Sequence, residues 1–498
     1  MKKTLFFLCF FGVVSLAQAG FEEGIAAYEK GDIETTLKEL IPLAEQGDVL
    51  AQNSLAGVYA NERGAARDYK QAVEWYRKAA DQGYAIAQYN LGLMYANGWG
   101  VPRDDKQALD WYRKAADKGL APAQYSLAWM YEYRRGALRD DRQAVEWYRK
   151  AAQQGDVLAQ YNLASRYEKG RGIFKDSALA AQWYHKAAEQ GYVWAQHRLG
   201  VMYERGEGVA RNDNDALAWH LKAAEKGFAF AQYDAGLMYA EGRGTGVDYK
   251  QAAAWYQKAA EQGHGLAQYN LGTFYEQGRG VAQNDAQAVE WYQKAAQRGE
   301  AAASINLGLM TMNGRGVAQD DRQAVHWFRQ AAELGDALAQ YNLGIMYANG
   351  RGVVQDDAQA VEWYRKAAQQ GQAAAQNNLG LMLAKGRGAA RNESQAIMWY
   401  RKAAEQGHAA AQNNLGVMYE EGRGIGQDYA QALLWYRKAA EQGNVMAQHN
   451  LAEIYAHGRD VPQDDQQAAK WYRKAAEQGD ELARQNLIKI TEKRTTSR

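Results

Sequence analysis

Cysteine is all but missing from this chain of 498 residues, with Cys9 the single example. That excludes a disulfide framework and a cysteine-bound metal in the body of the protein. Charge of one sign is missing too. The formal net charge is +1 and no Lys/Arg block stands out, which argues against a nucleic-acid backbone as partner. Beyond residue 20 no apolar run is long enough to cross a bilayer. The one apolar run, Leu5 to Leu16, follows Lys2 and Lys3 and ends in Ala17-Gln18-Ala19, small residues suited to cleavage before Gly20. Residues 1–19 therefore read as a secretory signal peptide of bacterial type. The periplasm is the expected destination, with the extracellular space as the alternative. Cys9 is a poor lipid-attachment site, because Leu8 precedes it and little apolar sequence comes before.

What is present is a period. Trp75, Trp111, Trp147, Trp183, Trp219, Trp255, Trp291, Trp327, Trp363, Trp399, Trp435 and Trp471 stand 36 residues apart without an insertion. A fixed period of this size means stacked supersecondary units, each too small to bury its own apolar face. In residues 84–119, Ala87, Leu91, Met94 and Tyr95 share one face of a first helix. Ala108, Trp111, Tyr112, Ala115 and Ala116 share one face of a second. Asp104 and its equivalents are always Asp or Asn, fit to cap the second helix. The glutamine three residues later resembles a capping box. Gly83, Gly119 and their equivalents close that helix. The Trp-Tyr pair is expected to hold each unit, and small residues at Gly92 and Ala79-Ala80 let the helices approach.

Units such as Ala-Gln-Tyr-Asn-Leu-Gly-Leu-Met-Tyr-Ala-Asn-Gly-Trp-Gly-Val, followed by Ala-Leu-Asp-Trp-Tyr-Arg-Lys-Ala-Ala, resemble the Sel-one-like repeat family, relatives of tetratricopeptide repeats. The resemblance implies an all-α fold, a right-handed superhelical α-solenoid with an adaptor or scaffold role. The expected organisation is a signal peptide (1–19), an N-terminal capping helix pair (20–47), twelve repeats (48–479), and a closing helix over 480–490 with a polar, disordered tail to 498. A cysteine-rich branch of the family has been linked to β-lactam binding or hydrolysis. This chain lacks those cysteines.

Several patterns imitate chemistry. Gly-Arg-Gly recurs between the two helices of a unit, with no preceding strand and no Lys-Ser/Thr, so it reads as a tight turn and not a phosphate cradle. The Asp-Asp pairs at 104–105, 140–141, 320–321, 356–357 and 464–465 fall on a helix cap and first turn. The eight histidines show no helical zinc spacing and read as surface or groove residues. No serine sits in a nucleophile elbow. No enzyme, cofactor or metal is expected, and a monomer is. Arg166 replaces Met, Val, Phe or Ile of other units; it either snorkels or serves a local ion pair. Ser304, Ile305, Thr311 and Phe328 mark an unusual unit that could soften or bend the stack.

By analogy with tetratricopeptide arrays, the first helix of each unit lines a concave face, with positions 86, 89, 93, 96 and 97 of the type unit directed into it. These positions vary between units while core positions do not. Tyr89, Tyr125, Tyr161, Tyr233, Tyr269 and Tyr341 form a broken ladder with His197 and His449, and Asn377 and Asn413 make it more polar later on. The sharpest patch is Tyr125, Trp129 and Tyr133, followed by Arg134 and Arg135. Trp99 and Trp194 are the other additional indoles. The expected partner-binding residues are Tyr89, Tyr125, Trp129, Tyr133, Tyr161, Trp194, His197 and Tyr233. The leading reading is an exported, non-enzymatic scaffold that grips a protein or peptide. A polysaccharide-binding envelope component is second, and a cell-wall or β-lactam hydrolase is third.

Overall fold

The computed structural model describes residues 16–61 and 67–496. Most of the expected signal peptide, residues 1–15, lies outside the described residues. Twenty-seven helices and no strand are found among the described residues. The chain divides into two units, Met1–Val247 and Asp248–Arg498. The first opens with the pair Leu16–Lys30 and Ile33–Glu45. Five helix pairs follow, from Val49–Ala60 with Tyr69–Asp81 to Val193–Arg205 with Asp213–Glu225, and then the helix Ala229–Glu241. The second begins with the helix Tyr249–Glu261, stacks six pairs, and closes with Glu481–Thr496. Each unit is an α-solenoid in which a helix packs on its sequence neighbours. The closing helix runs to Thr496, past the expected end at 490, so Thr491 to Thr496 extend it by more than a turn.

The repeat boundaries follow from backbone hydrogen bonds. Asp104 accepts from the N–H groups of Lys106 (2.9 Å) and Gln107 (3.0 Å) at the start of helix Asp105–Asp117. The reciprocal arm of a capping box is not made. The N–H of Asp104 that Gln107 would reach is donated to the carbonyl of Tyr95 at 3.0 Å, so the cap also ties the loop to the preceding helix. At the far end Gly83 lies at φ +87°. Its N–H reaches the carbonyl of Ala80 (2.9 Å), and that of Tyr84 reaches Ala79 (3.1 Å), closing orphan carbonyls of the helix end.

Packing gives the tyrosine a deeper place than the tryptophan. Tyr148, Tyr184, Tyr256, Tyr292, Tyr436 and Tyr472, with Phe328, are among the largest fully buried side chains. Trp75, Trp147, Trp219, Trp255, Trp291, Trp399 and Trp471 are buried, but Trp111, Trp183, Trp327, Trp363 and Trp435 only partly. The lysine one turn later lies over the indole, as Lys222 does over Trp219 at 3.6 Å and Lys78 over Trp75 at 3.7 Å. The indole thus seals the rim of the joint with a cation on its outer face, and the tyrosine fills the interior. Gly92 answers that tyrosine: a Cβ there would meet the ring of Tyr112 at 2.7 Å.

The glycine-rich turns are joints. Gly170 and Gly172 lie at φ +65° and +73°. A Cβ on Gly172 would collide with the backbone carbonyl of Asp141, in the first turn of the preceding second helix. The arginine between such glycines grips that same turn: Arg351 pairs with Asp321 (2.7 Å) and Arg387 with Asp357 (2.7 Å). The first Asp of an Asp-Asp pair therefore caps, and the second receives the next unit's arginine. Arg166 is an ion-pair residue. Its side chain is 6 % exposed and meets Glu132 and, at 3.3 Å, Asp141.

A second recurring joint is built from glutamines. Gln124 donates to the carbonyl of Ala116 (3.1 Å) and accepts from Gln154 (2.8 Å). Gln160, Gln340 and Gln448 do likewise with Gln190, Gln370 and Gln478. Ser304 breaks this series, yet the carbonyl of Ala296 is still satisfied, by Gln330 at 2.8 Å. Residues 301–313 and 321–333 remain continuous α-helices.

Candidate partner-binding face

The expected partner-binding residues all fall in Met1–Val247, and the structure sorts them into two kinds. The ladder residues lean on the second helix of their own repeat. Tyr89 lies 5.6 Å from Tyr112, Tyr125 5.8 Å from Tyr148, and Tyr161 5.5 Å from Tyr184 and 5.1 Å from Tyr192. All three are half-buried. Burial first, and then the nearby Asp156 charge, pushes the Tyr125 hydroxyl up to about 12. Tyr233 is half-buried on the helix Ala229–Glu241. Trp99 stacks on Tyr69 with rings 5.7 Å apart and nearly parallel, a packing role. Asn377 and Asn413 accept from the Asn414 and Asn450 side chains of the next repeats, at 2.9 and 3.1 Å. The later, polar part of the ladder therefore also serves the joints.

Trp129 and Tyr133 are different. They project one turn apart from helix Ala121–Tyr133, 36 % and 56 % exposed, with rings 5.1 Å apart. The Arg135 guanidinium lies 5.6 Å from the Trp129 ring, and its charge is anchored by Asp105. Arg134, at φ +60°, turns the chain where most repeats use glycine. Tyr125, expected to complete this patch, is drawn inward against Tyr148.

A second cluster gathers around Trp194, 47 % exposed. Its ring meets Phe228 at 4.6 Å and Phe230 at 6.5 Å. His197 also lies 5.3 Å from Phe228. Phe228 and Phe230 were missed from sequence. Phe230 occupies the same repeat position as Trp194, and that alignment was the available signal. Beneath the rings is a polar group. His197 Nε2 meets Asp234 at 2.7 Å, and the buried His220 Nε2 meets Glu204 at 2.7 Å. Arg243 donates to Glu204 at 2.7 Å. Burial alone would raise the Glu204 carboxyl, but the hydrogen bonds and charges of His220 and Arg243 outweigh it and hold the group down at about 2. No helix among the described residues is long and apolar enough to cross a membrane.

With this geometry in place, comparison with known proteins becomes informative. The Sel1 repeat profile matches twelve times in succession, from residues 49–84 through 445–480. The chain belongs to the Sel1 repeat family. Two solved structures agree. One is c5321, described as a protective antigen present in uropathogenic Escherichia coli strains displaying an SLR fold. It is 38 % identical, covers 92 % of this chain and 97 % of its own, and has a TM-score of 0.76. The other is a Sel1 repeat protein from Oxalobacter formigenes, 35 % identical over 62 % of this chain and 90 % of its own, with a TM-score of 0.53. A search of curated proteins found no match. Sel1 repeats commonly serve as scaffolds for protein interaction. Trp129, Tyr133, Trp194 and Phe230 are thus large apolar groups that a Sel1 solenoid of this chain leaves in solvent.

Proposed function

We propose that this Sel1 repeat protein is an exported, monomeric, non-enzymatic scaffold that holds a protein or peptide segment against the first-helix face of Met1–Val247. The observation that carries the reading is the exposed pair Trp129 and Tyr133, in tilted ring contact beside an anchored arginine. Aromatic rings and arginine are the residue types that concentrate binding energy at protein interfaces. Core positions repeat because every joint is alike, whereas this face differs from unit to unit, as a surface matched to one extended ligand would. The signal-like residues 1–19 and the similarity to a protein described as a protective antigen support export, to the periplasm or beyond the cell.

The test is photocrosslinking in cells from residue 129, followed by binding of the captured protein to Trp129→Ala/Tyr133→Ala. Loss of about 2 kcal/mol or more, roughly 30-fold in affinity, is expected with a melting curve shifted by less than about 1 kcal/mol equivalent. Unchanged affinity, or a collapse of stability, refutes the assignment. Binding of glycans that vanishes in Trp129→Ala would instead favour the polysaccharide reading, in which the same rings stack on sugars.

A further inference from the structure

The geometry points to a zinc-type divalent cation site formed by His197, His220 and Asp234, three residues contributed by three successive helices of Met1–Val247. One ligand atom from each lies within 4.8 Å of the other two. Linear spacing hides the group, because the residues sit on helices Val193–Arg205, Asp213–Glu225 and Ala229–Glu241. Aligning the repeats exposes it. His220 stands where the other repeats carry Tyr or Phe, and it is the single histidine at that position. Asp234 stands where most carry Asn and is the single Asp there. His197 takes a ladder position otherwise filled mainly by Tyr and Asn. In Asn414 and Asn377 this pair of positions makes a plain amide hydrogen bond across the joint. Here the corresponding pair is His197 and Asp234, 2.7 Å apart, and a second imidazole faces it.

The orientation of His220 is the decisive feature. Its side chain is fully buried, and its Nε2 meets Glu204 at 2.7 Å. Glu204 is itself held by Arg243 at 2.7 Å and stays ionised, so it can only accept. The Nε2 proton is therefore committed to Glu204, and the lone pair of a neutral ring resides on Nδ1. That atom is buried without a hydrogen-bond partner and lies 4.0 Å from Asp234 Oδ2. A carboxylate that fixes the far nitrogen of an imidazole is the usual outer shell of a metal-binding histidine. Without an ion, a neutral His220 leaves this acceptor buried and unpaired, at about 1–3 kcal/mol; no other repeat carries an imidazole at this position, and where a tyrosine there faces a glutamate it donates to it, as Tyr148 does to Glu132.

The ligand set suits zinc. Two borderline imidazoles and one hard carboxylate are all donors that zinc accepts, and three protein ligands leave a fourth tetrahedral position for water. Ligand atoms about 2.1 Å from a shared ion stand about 3.4 Å apart. His220 is fixed by packing, so His197 and Asp234, both partly exposed, would make the adjustment. The neighbouring cations do not compete, since Arg243 is bound to Glu204 and Glu241, and Arg198 to Glu168 and Glu207. The Phe228 ring lies 5.3 Å from that of His197.

The test is titration of the tag-free mature chain with Zn2+ against a chelating dye, with Co2+ absorption as the report on geometry. One tight equivalent is expected, with the intense visible bands of a tetrahedral Co2+ centre and a Zn2+-dependent rise in Tm. His220→Tyr and Asp234→Asn install the residues most repeats carry and so should fold; each should lose that equivalent by at least 100-fold. Glu204→Gln, a positioning change, should weaken it 10–100-fold. His449, which faces Tyr472 at 5.7 Å in place of a second histidine, remains in every variant as an internal control. The proposal is overturned if the wild-type chain takes up no Zn2+ at micromolar concentration. It is equally overturned if the equivalent survives both His220→Tyr and Asp234→Asn, which would leave a hydrogen-bond cluster only.

Discussion

The glutamine joint makes a quantitative prediction that runs against ordinary surface-charge intuition. Gln88, Gln196 and Gln268 each keep a buried Oε1 without a hydrogen-bond partner. In the repeats where the corresponding oxygen is satisfied, the donor is a glutamine one residue beyond the next second helix, such as Gln154 to Gln124 at 2.8 Å or Gln442 to Gln412 at 2.7 Å. After Gln88, Gln196 and Gln268 that place is held by Lys118, Lys226 and Arg298. Lys118 and Lys226 reach past the amide to the carbonyls of Gly83 and Gly191. A glutamine can make both contacts: Gln190 bonds Gly155 at 3.1 Å and Gln160 at 2.7 Å. Lys118→Gln, Lys226→Gln and Arg298→Gln should therefore each satisfy a buried acceptor, an effect of about 1–3 kcal/mol. The lost cation at a helix C-terminus offsets about 0.3–1 kcal/mol. Each change should stabilise by about 1 kcal/mol. Because the three joints are separate, the triple variant should gain about 3 kcal/mol. Urea unfolding followed by far-UV circular dichroism measures this, with Gln154→Lys as the reverse experiment, expected to cost about 1 kcal/mol. A triple variant no more stable than the parent, with Gln154→Lys neutral, would refute the reasoning.

Three further outcomes follow from the same structure. Arg134→Gly should stabilise by about 1 kcal/mol in thermal melts, because Arg134 sits at φ +60° where a Cβ is strained; a loss would show that its side chain matters more than its backbone. Gly155→Ala and Gly172→Ala separate strain from contact. Both lie at positive φ, but only Gly172 abuts a carbonyl, so the first should cost about 1–2 kcal/mol and the second clearly more in the same unfolding assay. Glu204 gives an acid-limb prediction. Its folded value is lowered from 4.5 to about 2, so its stabilisation is full above about pH 5 and is lost as pH falls toward 2. The shift corresponds to on the order of 3 kcal/mol. The stability gap between the parent and Glu204→Gln should narrow over that window; a constant gap would contradict it.

Much of the fold was legible because a 36-residue period repeats each structural demand a dozen times. The Asp caps, the closing glycines and the two apolar stripes were readable at Asp104, Gly119 and Leu91, since local chemistry dictates them. Three features were not. The tyrosine outranks the tryptophan in depth because burial depends on which side of the second helix faces the next repeat, and both residues satisfy the same stripe. Gln107 looked like half of a capping box, but its target N–H had already been claimed by Tyr95. Of the partner-face residues, Trp129, Tyr133 and Trp194 are exposed as the pattern suggested, whereas Tyr89, Tyr125 and Tyr161 rest on their own second helices. A ladder position near the repeat interior admits either outcome, and the ring on the following helix decides it. The cluster of His197, His220 and Asp234 was invisible to spacing rules for a related reason: its members meet only across consecutive joints.

The unit around Ser304 shows how such a stack tolerates its own variation. Replacing the usual glutamine removes the side-chain donor to the Ala296 carbonyl, which keeps the Gly299 N–H at 3.0 Å but would lose a buried hydrogen bond of about 0.5–1.5 kcal/mol. The second helix of the same repeat supplies the missing donor from Gln330, where every other repeat carries the lysine that covers the indole. The cost moves outward: Trp327 loses its lysine and is flanked by His326 at 4.9 Å. An exposed cation over an indole is worth about 0.5–1 kcal/mol, no more than the hydrogen bond gained, so the exchange costs the fold little. A donor lost from the first helix of a Sel1 repeat is therefore replaced from the second helix of the same repeat, at the joint with the repeat before it. That predicts coupling between positions 304 and 330. Gln330→Lys should be less favourable in the parent, by about 1 kcal/mol, than once Ser304→Gln restores the usual donor. Equal effects of Gln330→Lys in both backgrounds, measured as a double-mutant cycle, would show that the two positions are independent and that the hydrogen bond to Ala296 does not link them.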